Sequence, residues 1–172
     1  MKELEEILSG HAKWLKAEKG GVKADFTGRD LQGVDFSGAN LNYADFTDAI
    51  CNGINLREAN LKEAFFDGAN FNNANFMGAN LRWAYLRGAH FKYANFSYSN
   101  LKEADASNVN LKGADLRYAN LEGVSFKGSN LEGVNLKGAN LKGANLEGAN
   151  VKDANFERDT RLFSFAKLYS AF

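Results

Sequence analysis

From residue 24 to residue 158 the apolar and polar positions of this chain recur every five residues without an insertion. Read in fives, the segment runs ADFTG, RDLQG, VDFSG, ANLNY, ADFTD and onward to ANFER, 27 units in all. The middle residue of each unit is Phe, Leu or Val, with Cys51 and Ala106 as the exceptions. The residue two before it is small and mostly Ala, and the other three are largely polar. A period of five fits neither the 3.6 of a helix nor the 2 of a strand. It requires a bend each time the motif recurs, with two inward positions per unit, so short extended pieces alternate with turns and coil into a β-helix.

Glycine sets an expectation for those turns. It holds the last place of 14 of the 27 units, which is the third place of each four-residue bend and the one where a type II turn needs positive φ. Units between residues 113 and 148 are Gly-rich there and should make type II turns. Between 43 and 63, and again between 83 and 108, large or charged residues take the slot, and those corners should adopt other turns. At Ala106 a large side chain is missing from the inward position, and Val109 with a tilted Phe126 should fill the gap.

The pattern A-(D/N)-(L/F)-x-G, as in Ala139-Asn140-Leu141-Lys142-Gly143, resembles the pentapeptide-repeat family over about four-fifths of the chain. The resemblance implies an all-β solenoid, a right-handed quadrilateral β-helix with four units per coil, so that residues 20 apart stack. The 27 units would then make about 6.75 coils, a rod of roughly 32 Å at ~4.8 Å per coil. Under that stacking Leu41, Leu61, Leu81, Leu101, Leu121 and Leu141 form a uniform leucine column.

A solenoid needs caps at both ends. Residues 1–23 supply an N-terminal helical cap, with Leu4, Ile7, Leu8, His11 and Leu15 on one stripe and Trp14 beside it. Gly10 weakens that helix by about 1 kcal/mol and can break it in two, and Gly20-Gly21 ends it. The run His11-x-x-Trp14-Leu15 resembles leaders that precede such repeats in some bacterial members. Residues 159–172 form a C-terminal helical or irregular cap carrying Leu162, Phe163, Phe165, Leu168, Tyr169 and Phe172. One stripe of it can cover the last coil. The remaining rings make it a candidate homodimer interface.

Composition narrows the function by exclusion. Lys+Arg and Asp+Glu are balanced at 21 each, so no global field draws nucleic acid or anionic lipid. A lone cysteine, a charged N-terminus and no membrane-length apolar run lead us to expect a cytoplasmic protein. His11 should pack under the cap, and His90 should sit outward between Asn70 and Asn110. Asp25, Asp35, Asp45, Asp105 and Asp115 hold the repeat's Asn slot, where the side chain serves nearby turn backbone. No catalytic residue, cofactor or metal site is expected, and an enzyme is not.

Outward aromatics are the positive signal. Trp83, Tyr93 and Tyr98 stand where Gly is usual, Tyr85 stands where Asn is usual, and residues 68–102 carry four bases and no acid. With Tyr43, Phe65, Arg82 and Arg87 they form a candidate partner-binding patch of rings and cations. The expected function is a non-catalytic protein-binding scaffold with an unidentified protein partner. The alternative is a DNA-mimicking modulator of a type II topoisomerase, as resemblance to some family members implies. A near-zero charge disfavours it: residues 24–158 hold 16 acids against 14 bases. Single-stranded nucleic acid is disfavoured for the same want of charge.

Overall fold

A computed structural model describes residues 2–156 of the chain. Its β-structure consists of single-residue parallel bridges, and each one joins residues 20 apart, from Asp25↔Asp45 to Asn135↔Asn155. Four five-residue units therefore make one coil. Each unit is tied to the next coil through the same atoms: the Phe26 N–H donates to the Asp45 carbonyl (2.7 Å), Gly28 to Thr47 (2.9 Å), and Asp45 back to Ala24 (3.0 Å). Between one unit and the next, the Arg29 N–H closes the turn on the Phe26 carbonyl at 3.0 Å.

The inward positions fill the coil completely. Phe26, Phe46 and Phe66 stack at 4.8 and 5.3 Å between ring centres, and Phe76 and Phe96 at 4.6 Å. All are fully buried, as is the leucine column. Each such side chain contributes about 1.5–3 kcal/mol of burial. Cys51 takes an inward place, and burial pushes its thiol up to about 12, so it packs as a small hydrophobe.

The turns differ from the sequence expectation. Every described turn slot has positive φ, whether Gly28 (+64°), Tyr43 (+65°), Glu63 (+56°), Trp83 (+61°) or Tyr98 (+61°). Positive φ is not confined to the glycine-rich stretch. The slot N–H is held by the next coil, as Trp83 is by the Lys102 carbonyl at 3.1 Å. The preceding N–H is held by an Asn or Asp side chain two residues back, as Ser97 is by Asn95 at 2.9 Å. These bonds outweigh the roughly 1–2 kcal/mol that left-handed backbone asks of a residue with a Cβ. At Tyr85 and His90, which replace the Asn, the preceding coil supplies the acceptor. Asp67 Oδ1 takes the Arg87 N–H beyond Tyr85 (2.9 Å), and Asn72 Oδ1 takes the Lys92 N–H beyond His90 (2.8 Å).

One turn is open. At Ala106 the closing bond is replaced by the buried Ser129 hydroxyl, which donates to the Ala106 carbonyl (2.7 Å) and accepts the Val109 N–H (3.2 Å). Ala106, Val109 and Phe126 are all buried there.

Helix α1 (Lys2–Leu15) runs unbroken through Gly10, because the Gly10 carbonyl is engaged by the Val22 N–H at 3.0 Å. Its end also departs from expectation. The left-handed cap residue is Ala17 (φ +54°), with Glu18 N–H bonded to the Lys13 carbonyl at 2.9 Å. Gly21 serves a different purpose, since a Cβ there would collide with the Trp14 and Lys13 backbone. Leu4, Ile7 and Leu8 pack on the first coil's core, and Arg29 reaches Glu3 at 2.7 Å. No helix among the described residues is long and apolar enough to cross a membrane.

Candidate functional site

The eight residues singled out by sequence fall on two surfaces. Tyr43, Phe65, Arg82, Trp83, Tyr85 and Arg87 gather around one turn of the coil and the face that follows it. Tyr93 and Tyr98 belong to the two turns beyond. The C-terminal candidates, Leu162, Phe163, Phe165, Leu168, Tyr169 and Phe172, lie outside the described residues.

On the first surface the Trp83 ring is already occupied. The Arg82 guanidinium lies 3.8 Å from its centre and Lys62 Nζ 4.7 Å from it, while the indole N–H donates to the Glu103 carboxylate. Arg82 spends its charge on the ring, and its buried Nε has no hydrogen-bond partner. Tyr43 meets Glu63 at 3.4 Å, and Lys62 meets the same carboxylate at 3.4 Å. Trp83 is half-buried as a result. On the adjoining face Phe65 and Tyr85 stack in parallel at 4.9 Å, with Lys23 Nζ 5.2 Å from Phe65. Arg87 Nε binds Asp105 at 2.5 Å. Burial would raise the Asp105 carboxyl, but the Ser107 hydroxyl and Arg87 overcome it and hold it below the ordinary range. A shallow depression of about 330 Å³ opens between Glu63, Trp83, Ala84, Tyr85, Glu103 and Asp105. Its acids already have internal partners.

The second surface is freer. Tyr93 and Tyr98 are 61% and 64% exposed, more than any other described ring. Tyr98 stacks on Tyr118 at 5.1 Å and 17°. Tyr118, 47% exposed, belongs to this surface and was missed by the sequence reading of the site. Its signal was available, since it lies 20 residues from Tyr98 in a slot usually held by Gly. Asn75, Asn95, Asp115 and Asn135 ladder up the face between the two turns. Arg117 grips Asp115 through Nη2 at 2.7 Å, and Lys112 pairs with Glu132 at 3.0 Å. Among the described residues no group of three His, Cys, Asp or Glu could hold a metal ion. His90 stands outward between Asn70 and Asn110.

The family profile for pentapeptide repeats matches this chain in eight copies, over residues 22–50, 54–92, 89–128 and 119–158. The chain belongs to the pentapeptide-repeat family. Solved pentapeptide-repeat structures are similar to it at low identity. HetL from the cyanobacterium Nostoc sp. strain PCC 7120, involved in heterocyst differentiation regulation, shares 23% identity over 88% of each chain (TM-score 0.27). A pentapeptide-repeat protein from the Arabidopsis thaliana thylakoid lumen shares 30% over 78% of this chain and 72% of its own (TM-score 0.29). Full-length QnrB1, a plasmid-mediated fluoroquinolone resistance protein, shares 14% over 76% and 74% (TM-score 0.39). No curated protein matches.

Proposed function

We propose that this pentapeptide-repeat chain is a non-catalytic scaffold that binds a protein partner through its tyrosine surface, on a right-handed, four-sided rod. The observation that carries the reading is the exposure of Tyr93, Tyr98 and Tyr118 on a backbone that is hydrogen-bonded at every coil. Rings held at fixed spacing lose little freedom on binding, so their burial goes into affinity. The Trp83 cluster, whose ring is covered by its own cations, acts as the stiffening element beside that surface.

A DNA mimic needs a continuous acidic stripe. Here carboxylates pair with cations one coil away: Lys102 with Glu122 (3.1 Å), Lys112 with Glu132 (3.0 Å) and Lys127 with Glu147 (3.1 Å). Those pairs neutralise the columns that such a stripe would use.

Affinity capture from the native host, with the full chain as bait, tests the scaffold reading. The expected result is one partner retained by the wild type and by Trp83→Ala. Tyr98→Ala should weaken its hold by about thirtyfold, the ~2 kcal/mol of a hot-spot ring. A partner that ignores Tyr98→Ala and follows Trp83→Ala would move the site to the other surface. The tail residues Phe163 and Leu168 remain our candidates for a homodimer contact, and sedimentation equilibrium of a Phe163→Ser, Leu168→Ser variant should then report a monomer.

A further inference from the structure

His11 is the one fully buried histidine, and it sits at the joint between α1 and the first coil. Its Nδ1 accepts the Ala24 N–H at 3.1 Å, at the residue where the repeats begin. The acceptor role of Nδ1 places the proton on Nε2. That buried atom has no hydrogen-bond partner. The ring stacks on Trp14 at 5.7 Å, and Trp14 meets Tyr43 edge-on at 5.9 Å.

A second proton has no place in this joint. It would sit on Nδ1 and point at the Ala24 N–H, donor against donor, and would bury a positive charge without a counter-ion. The surroundings agree. Burial drives the imidazole below its ordinary value, the Asn42 backbone opposes that, and the Lys23 charge lowers it further. The Glu3 carboxylate is held by Arg29 at the other end of the helix, and Asp45 is paired with Lys23 at 4.0 Å. Tyr43, the nearby phenol, is turned to Glu63.

What the joint covers is the open edge of the solenoid. Asp25, Asp30, Asp35 and Asn40 bridge onward to the second coil and to nothing before them. Phe26, Leu31 and Phe36 line the interior at that end. An uncovered edge of unpaired backbone over apolar rings is a template for another chain. We propose that α1 is a proton-operated cap: charging His11 releases the helix and opens the first coil's edge to pairing. The device is separate from the tyrosine surface and does not depend on it.

The sign follows from linkage. The docked state keeps His11 neutral below the pH at which a free imidazole, ordinarily about 6.5, takes up its proton. Docking is therefore at full strength above about 6.5 and weakens as pH falls, by about tenfold per unit while only the undocked state is charged.

Hydrogen exchange of the full chain, read at the Ala24 amide and corrected for intrinsic rate, is the test. Between pH 7.5 and 5.0 its protection should fall as much as about thirtyfold. Asn75 and Asn95, whose N–H groups lie inside the rod, should hold theirs over the same range. His11→Gln, which can accept the Ala24 N–H but cannot titrate, should remove the pH response. If that variant leaves Ala24 unprotected at every pH, the wild-type imidazole nitrogens decide instead. Nitrogen shifts that report Nε2–H at pH 7.5, and a His11 titration below about 6.5 accompanying the Ala24 loss, support the proposal. Unchanged Ala24 protection across the window overturns it, as does an equal loss in a docked His11→Gln chain.

Discussion

Tyr93 and Gly113 occupy the same turn in consecutive coils, both with positive φ (+58° and +68°). A Cβ added at Gly113 would stand 2.6 Å from the Tyr93 ring, and one at Gly138 would stand 2.5 Å from the Tyr118 ring. Glycine at 113 and 138 leaves room for the ring of the coil before it, as that ring now lies, whereas positive φ is also met by Tyr and Trp. Gly133 lacks that neighbour, with nothing within 4 Å of its Cβ position. Both Gly113→Ala and Gly133→Ala incur the conformational penalty of about 1 kcal/mol. Gly113→Ala should lose about 1–2 kcal/mol more by overpacking. Denaturant unfolding of the two variants measures the difference, and adding Tyr93→Ala should cancel it in a double-mutant cycle. An equal loss at both sites would return the glycines to a purely conformational role.

At the level of elements, α1 shows where local propensity gives way. The sequence places Gly10 mid-helix, where it is a weak point, yet the Val22 bond to its carbonyl keeps the helix continuous. The nearest atoms to an added Cβ belong to Val22 at 3.7–3.9 Å, an ordinary contact. Gly10→Ala should therefore stabilise the cap by up to about 1 kcal/mol. Slower exchange at the Ala24 amide is the readout, and faster exchange would show that the glycine is needed for docking. The cap's existence and its buried histidine were legible from the Leu4–Ile7–Leu8–His11 stripe. Its stop was not, because Ala17 takes the left-handed position through the Glu18–Lys13 bond, a contact that composition does not encode. The coil itself was legible because one inward residue recurs in fixed phase 27 times, and the bridges follow that phase. The turns were misread because ladder bonds override residue preference. The candidate site was legible as a set of outward rings. Its division was not, since that depends on which rings their own neighbours cover: Lys62 and Arg82 close Trp83, whereas Tyr98, stacked on Tyr118, stays mostly exposed.

For the whole rod, the Asn slot is where charge enters the stability. Hydrogen bonding by Thr27 holds Asp25 below the ordinary carboxylate range, and the Ser37 N–H and hydroxyl do the same for Asp35. At Asp105 and Asp115 burial raises the carboxyl, but Ser107 with Arg87, and Arg117, overcome it and the net direction is again down. A carboxyl lowered by folding stabilises the native state above its ordinary value of about 3.8, and that stability is lost as pH falls through the folded values. Two acid responses should then be separable. A shallow one between about 6.5 and 5 belongs to His11 and the cap, and a steeper one below about 4 belongs to these carboxylates and the coils. Asn holds the same slot at 55, 75, 95 and 135, and there it makes the same bond to the residue two ahead, as Asn95 does to Ser97. Replacing Asp25, Asp35, Asp105 and Asp115 together by Asn should keep the turns and remove the protonation. The variant's Tm should lie below the wild type's at pH 7, where Arg87 and Arg117 lose their partners, and change less between pH 5 and pH 3. Thermal unfolding across that range measures it. An acid limb as steep in the variant as in the wild type would place the sensitivity elsewhere, in the glutamates that pair with Lys102, Lys112 and Lys127 across successive coils.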